Sequence, residues 1–366
     1  MSAPALTGVA PHIRAITSLR RIQAIRTLAL LPVLIAAVLN TGYQYLLALD
    51  AVGAETTFDW RDDWARALGV DTVEPSAFDV VASGLIHVLP VLALALFVAA
   101  FWERVFVDYR RRPWQSGLLF VALVFTLLMP PGVSLVHVVL GMSFAVIFGK
   151  YVFGGEGKTF LNPALVGAAV MQISFPAALT DHPLWTDVAG YGGTRALAVY
   201  DDKGSGGLAW SGVEWWDAFL GTTQGMIGTT SMLAVLLGGI VLLASRIASW
   251  RLIFGQLLGL VVVATACNVF MGGGISALPW YWHLVLGSFA FSAVFVATDP
   301  ASSASTDAGR WIQGLIVGAL VVAIRVANPA HPDGVIAAVL LGSVLAPLID
   351  HMVIWVNVRQ RAWRHG

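Results

Sequence analysis

The amino-acid sequence predicts an all-α integral membrane protein of about ten transmembrane helices with an internal duplication. Three observations lead there. Hydrophobic residues make up 58% of the 366 positions and charged residues only 11%, against ~25% charged in soluble domains. The apolar residues gather into runs long enough, or nearly so, to cross a ~30 Å hydrocarbon core. One phrase is also written twice: "HVVLGMSFAVIF" from His137 returns as "HLVLGSFAFSAVF" from His283, 283 − 137 = 146 residues later. A formal net charge of zero gives no electrostatic footprint for nucleic acid.

The elements follow in order. Segment 1–26 is polar and basic and shows no cleavable leader pattern, so the first apolar run is expected to stay as an anchor. Runs then fall at 27–48, 80–102, 116–130, 134–149, 162–178, 226–244, 252–270, 282–297, 312–327 and 335–356. The fourth, fifth, eighth and ninth are short enough to be tilted or broken. Arg14, Arg20, Arg21 and Arg26 precede the first run, "ERVFVDYRRRPW" follows the second, Arg246 and Arg251 follow the sixth, and "RQRAWRHG" ends the chain. Basic connections stay cytoplasmic, whereas the loops 49–79 and 179–225 lean acidic and are expected outside. Ten spans then give one membrane domain, 27–358, with both termini, 1–26 and the tail 359–366, in the cytoplasm. Cys267 is the one cysteine. It excludes an internal disulfide framework and a cluster held by this chain's cysteines alone, and reads as a buried inert thiol.

By this count the doubled phrase falls in the fourth and eighth spans, and each copy leads into a proline-broken polar turn. Asn162-Pro163-Ala164 and Asp299-Pro300-Ala301 stand as counterparts, because a proline after a polar residue starts or ends a helix. Duplicated, interrupted helices are a way of building a polar site within a membrane. The glycines of the phrase are equally consistent with close helix packing, and each histidine needs a polar partner whatever its role. Three carboxylates lie at or near membrane depth, where an ionisable group faces a cavity or a partner. These are Glu103 at the end of the second run, Asp299 at the end of the eighth and Asp350 inside the last. A surface pair with Arg104 is the plain alternative for Glu103, and a buried pair with Arg325 or a histidine for Asp350. "GGEGKT" imitates a phosphate loop, but Val152 stands where its first glycine is required, which excludes nucleotide binding there.

The segments "FWERVF", "LMPPGVSL", "GKYVFGGEGKTFLNPAL", "WWDAFLGTTQGMIGTTS", "PWYWHLVLGSFAF", "ATDP", "RVANPAHPDG" and "LAPLIDH" together resemble one family of membrane proteins. It comprises the B subunit of the Na+-translocating NADH:quinone oxidoreductase (Nqr) and the D subunit of the Rnf complex. The resemblance implies a ten-helix fold of the urea/ammonium-transporter type in a bacterial inner membrane. It implies a multi-pass protein that carries flavin, passes electrons towards quinone and couples them to Na+ or H+, alongside the other subunits of its complex. Family residues of cation uptake map onto Glu103, Asp299 and Asp350. The family's quinone region covers the end of the second run, where Ala99 and Ala100 replace two glycines before Phe101 and Trp102. Riboflavin lies near the cytoplasmic face in the family, in the neighbourhood of Asn162 and Pro163.

The chain departs from the family at the covalent FMN motif. In place of Asp-Gly-Phe-Ser-Gly-Ala-Thr it has "AGYGGTRALA" from Ala189, so Arg195 stands at the esterified threonine and Thr194 one place early. The later Gly-Glu-Thr-Ser is "GTTS", with Thr229 at the glutamate, and Tyr151 replaces the glutamate of Gly-Lys-Glu. Covalent FMN is therefore expected to be missing; Thr194 is the one attachment point left, and a guanidinium at Arg195 suits a phosphate held non-covalently. The chain has no nicotinamide fingerprint, so hydride must enter through partner subunits. A channel or scaffold of the same fold that has lost its flavin is the rival expectation.

Overall fold

The computed structural model describes residues 18–53, 60–72, 74–111, 114, 117–176, 188, 196–210, 212–328 and 333–365. Among the described residues the chain is helical throughout, with no strand. Helix α1 (Leu19–Ala29) starts at Ser18, whose hydroxyl accepts the Arg21 N–H at 3.3 Å, and passes at Leu30 into α2 (Leu31–Val52). The short α3 (Trp60–Ala67) is tied to α2 by the Tyr45 hydroxyl, which donates to Asp62 at 3.0 Å. A capping box of Ser76 and Asp79 opens α4 (Ala77–Arg110). Next come α5 (Leu118–Leu127) and α6 (Leu135–Phe144), which runs on as a π-helix, Ala145–Tyr151. Asn162 caps α7 (Pro163–Ser174) by accepting the Ala164 N–H at 3.0 Å, with Pro163 at the first helical position. The segments α8 (Ala196–Trp210) and α9 (Trp215–Leu220) precede α10 (Met232–Ala244) and α11 (Trp250–Phe270). A broken pair, α12 (Trp280–Val285) and α13 (Phe289–Phe291), ends in a second π-helix, Ser292–Val296. The chain closes with α14 (Asp307–Ala327) and α15 (Val335–His365).

All ten predicted runs contain helix. Five stretches are long and apolar enough to cross a membrane: Leu19–Val52, Ala77–Arg110, Trp250–Phe270, Asp307–Ala327 and Val335–Trp363. The run 282–297 is two helical pieces, and α14 begins five residues before its predicted bound because Thr306 caps it, accepting the Gly309 N–H at 3.1 Å. The two copies of the doubled phrase share one unusual feature. Each slips from α into π geometry near its end, at 145–151 and 292–296, and these ranges overlay at the 146-residue offset. Single π turns inside helices recur at functional sites.

The main apolar cluster is drawn from α1, α2, α4–α7, α10, α11 and the last four elements, with two smaller clusters around α8, α9 and α12 and at the end of α2. In lipid the helices gain little from hydrophobic exclusion, so close backbone approach matters more. The pair α11 and α14 shows it: a Cβ at Gly259 or Gly318 would collide with the carbonyl of Leu315 or Gln256.

Candidate functional site

A cavity inside the bundle, the inner cavity, forms where α1, the start of α5, the first π-helix and the two proline turns converge. It encloses about 220 Å³, and its walls include Gln23, Arg26, Lys150, Asn162, Pro163 and Asp299. The cap that starts α7 places Asn162 there, and the turn after the second π-helix places Asp299. Asn162 uses its oxygen for the cap and its Nδ2 to donate to Asp299 Oδ2 at 3.3 Å. Arg26 Nη1 lies 3.2 Å from Asp299 Oδ1, and its guanidinium carbon sits 3.8 Å above the Phe120 ring. The basic N-terminal arginine is thus drawn into the interior, 5% exposed.

Beside this cluster, Glu103 is fully buried and accepts from Lys150 Nζ at 2.8 Å. The surface alternative does not hold, because Arg104 pairs instead with Asp108 at 3.0 Å. The π-helix turns Lys150 inward; the adjacent Tyr151 stacks on Phe106 with ring centroids 4.4 Å apart. Two buried ion pairs therefore flank one cavity. Each is costly to desolvate and worse to break, since removing one partner strands the other charge.

The remaining predicted residues fall elsewhere. Ala99 is buried and Phe101 exposed on the outside of α4, while Trp102 Nε1 donates to the Ser143 hydroxyl on α6 at 2.9 Å. Asp350 does not meet Arg325 or a histidine. Its carboxylate accepts the Ser305 N–H at 2.6 Å, the Thr306 N–H at 3.0 Å and the Thr306 hydroxyl at 2.5 Å. It thus anchors the chain entering α14, at the end of that helix rather than beside its middle.

Arg325 is fully buried and saturated at the other end of α14. Its Nη1 donates to the His283 carbonyl at 3.0 Å and lies 3.1 Å from His283 Nδ1. Its Nη2 donates to the Leu286 carbonyl at 3.0 Å, and Nε to the Asp333 carbonyl at 3.1 Å. Asp333 in turn accepts from the Ser288 N–H at 2.9 Å and from the Ser288 hydroxyl. The network clamps the break between α12 and α13, where Gly287 takes φ +77°. Next to it lies a cavity of about 70 Å³ whose walls include Ala196, Gln224, Thr229, Thr230, Gly287 and Asp333. Thr194 and Arg195 lie outside the described residues, but Ala196, the next residue, lines this cavity with Thr229. A cavity of about 300 Å³ adjoins it through Ala196, Thr223 and Gln224.

Sequence reasoning passed over Arg26, Lys150 and Asp333. Lys150 carried a usable signal, a lone cation at the end of an apolar run. Arg26 did not, because a basic residue before the first span reads as a topology determinant.

The matches to known proteins cover almost the whole chain. The model of the NQR2, RnfD, RnfE family matches residues 6–359. The B subunit of the Na(+)-translocating NADH-quinone reductase of Azotobacter vinelandii is 41% identical, over 98% of this chain and 90% of that one. Its namesakes from Pseudomonas paraeruginosa and Neisseria meningitidis serogroup B are 40% and 39% identical, over 99% and 98% of this chain and 90% of each relative. With a family model matched over more than half its length, and relatives this similar along nearly all of it, the chain belongs to the NQR2, RnfD, RnfE family.

Proposed function

We propose that this chain is the membrane subunit of an Nqr-type complex, passing electrons from NADH, by way of partner subunits, towards quinone while a cation crosses the membrane. The observation that carries the reading is the inner cavity: a polar pocket between two buried ion pairs, inside an apolar helical bundle of this family. Its residues suit a flavin without phosphate. Buried Gln23 Oε1 and Arg26 Nη2 have no hydrogen-bond partner, which leaves an acceptor and a donor for the polar edge of a ring. When bound, riboflavin supplies one-electron acceptance and release. Gln23, Arg26 and Asn162 would hold it and keep water out.

The ten helical runs are read as ten spans with both termini cytoplasmic, and the shared α-to-π change supports an internal duplication in a urea/ammonium-transporter-like fold. For FMN we take the cavity of about 70 Å³ beside Thr229, with Arg195 left by the sequence as the residue to hold its phosphate without an ester. Quinone is placed against Ala99, Ala100, Phe101 and Trp102, where the exposed Phe101 offers a flat apolar face to the lipid. The cation passes Glu103 and Asp299, and Asp350 acts at one remove by fixing the turn between Asp299 and α14.

The purified complex should absorb visible light as a flavoprotein. Acid should release riboflavin and FMN together, and this subunit should show no fluorescent band on a denaturing gel. NADH oxidation should require the other subunits. A complex that contains this chain and no flavin attributable to it would favour the channel or scaffold reading.

A further inference from the structure

Three arginines are buried among the described residues, Arg26, Arg61 and Arg325; Arg26 and Arg325 each hold an aspartate and differ in how far their donors are used. Arg325 spends nitrogens on His283, Leu286 and Asp333 and holds a backbone break shut. Arg26 spends Nη1 on Asp299 at 3.2 Å, while Nη2 is buried without a partner. A guanidinium is a rigid fork suited to two-pronged binding, so half-use at a cavity wall is the unusual state. Phe120 lies flat beneath it at 3.8 Å, a surface over which the planar group can slide without losing its cation–π contact.

The carboxylate it holds is closed to a metal cation. Asp299 Oδ1 faces Arg26 and the Ala301 N–H at 3.4 Å, and Oδ2 faces the Asn162 amide at 3.3 Å. These partners are nitrogen donors, and a hard cation requires oxygen ligands. A cation can use Asp299 only after Arg26 lets go.

We propose that Arg26 is the coupling residue between the inner cavity and Asp299: negative charge arriving in the cavity draws the guanidinium off the carboxylate and opens it to the cation. The inference rests on the flavin reading of that cavity. One electron, supplied through the partner subunits, adds one negative charge to the bound ring. Arg26 then turns its spare donors to that charge, and the cation replaces it at Asp299, so charge balances in both places. Because coupling between two sites is reciprocal, the cation must in turn favour reduction.

The test is a redox titration of the riboflavin in the intact complex, with Na+ or with choline as the salt. In the wild type, Na+ should raise the one-electron potential. Arg26→Gln should lower the potential by at least tenfold in the reduced-to-oxidised ratio, ~59 mV for one electron, and abolish the response to Na+. Arg26→Lys keeps the charge and should retain most of the potential. It also serves if the glutamine variant fails to assemble, with a half-saturating Na+ concentration shifted severalfold. A glutamine variant with wild-type potential and Na+ response would overturn the coupling while leaving the flavin site intact. A wild-type complex without riboflavin would remove the reading beneath it.

Discussion

Removing the Asp350 carboxylate separates a structural anchor from a cation ligand. Its oxygens accept two backbone N–H groups and one hydroxyl from Ser305 and Thr306, where the first turn of α14 has no intrahelical acceptors. A half-buried bond of this kind is worth ~1 kcal/mol after competition with water, and a negative charge at a helix N-terminus adds ~0.5 kcal/mol. Asp350→Ala should therefore destabilise the protein by about 3–4 kcal/mol on those figures. Asp350→Asn retains one acceptor oxygen and should lose about half as much. Cys267, the one cysteine, lies half-buried in α11, so a fluorogenic thiol dye reports unfolding of the detergent-solubilised protein from a single site. The unfolding midpoints should fall in the order wild type, asparagine, alanine. Cation uptake per folded molecule should fall in step with stability. A normal midpoint with abolished uptake in the asparagine variant would refute the anchor and make Asp350 a direct ligand.

Two further outcomes follow from the two buried networks. Gly287→Ala places a Cβ 2.9 Å from Arg325 Nη2 at a residue with φ +77°; the backbone strain alone is ~1–3 kcal/mol, so the thiol-dye midpoint should drop. Lys150→Met removes the cation that pairs with buried Glu103 and should cost ~3–5 kcal/mol, whereas the double variant with Glu103→Gln should recover much of that stability without recovering cation transport; equal midpoints for single and double variants would disprove the pairing.

Much of the fold was legible because lipid imposes one simple rule, that apolar runs become helices. Every run from 27–48 to 335–356 contains one. Breaks and bounds were less legible. Gly287 breaks the second phrase while Gly141, its nearest counterpart, stays in an unbroken helix, and the difference depends on a distant pair, Arg325 and Asp333. The inner site was half legible. Asn162, Asp299 and Glu103 drew notice as polar groups in apolar surroundings, whereas their cations did not, since Arg26 and Lys150 lie 273 and 47 residues from the carboxylates they neutralise. A sequence shows which charges are expensive, not which distant ones compensate them.

The two histidines of the doubled phrase differ in the same way. His283 is 1% exposed and meets Arg325, Nδ1 to Nη1, at 3.1 Å. Beside a permanent cation its imidazole can only accept there, so it works as a neutral member of the clamp. His137 heads the other copy: its Nδ1 is buried without a hydrogen bond, and its ring lies against Phe175 at 4.9 Å. What the copies share is backbone, an α-helix slipping into π geometry before a proline turn, and that shared geometry delivers Asn162 and Asp299 to one cavity. What they do not share is polar chemistry. The copy ending at Asp299 is stiffened at its head by Arg325 and contacted at its tail by Arg26. Two different arginines therefore fix this copy, one at its backbone break and one at its terminal carboxylate.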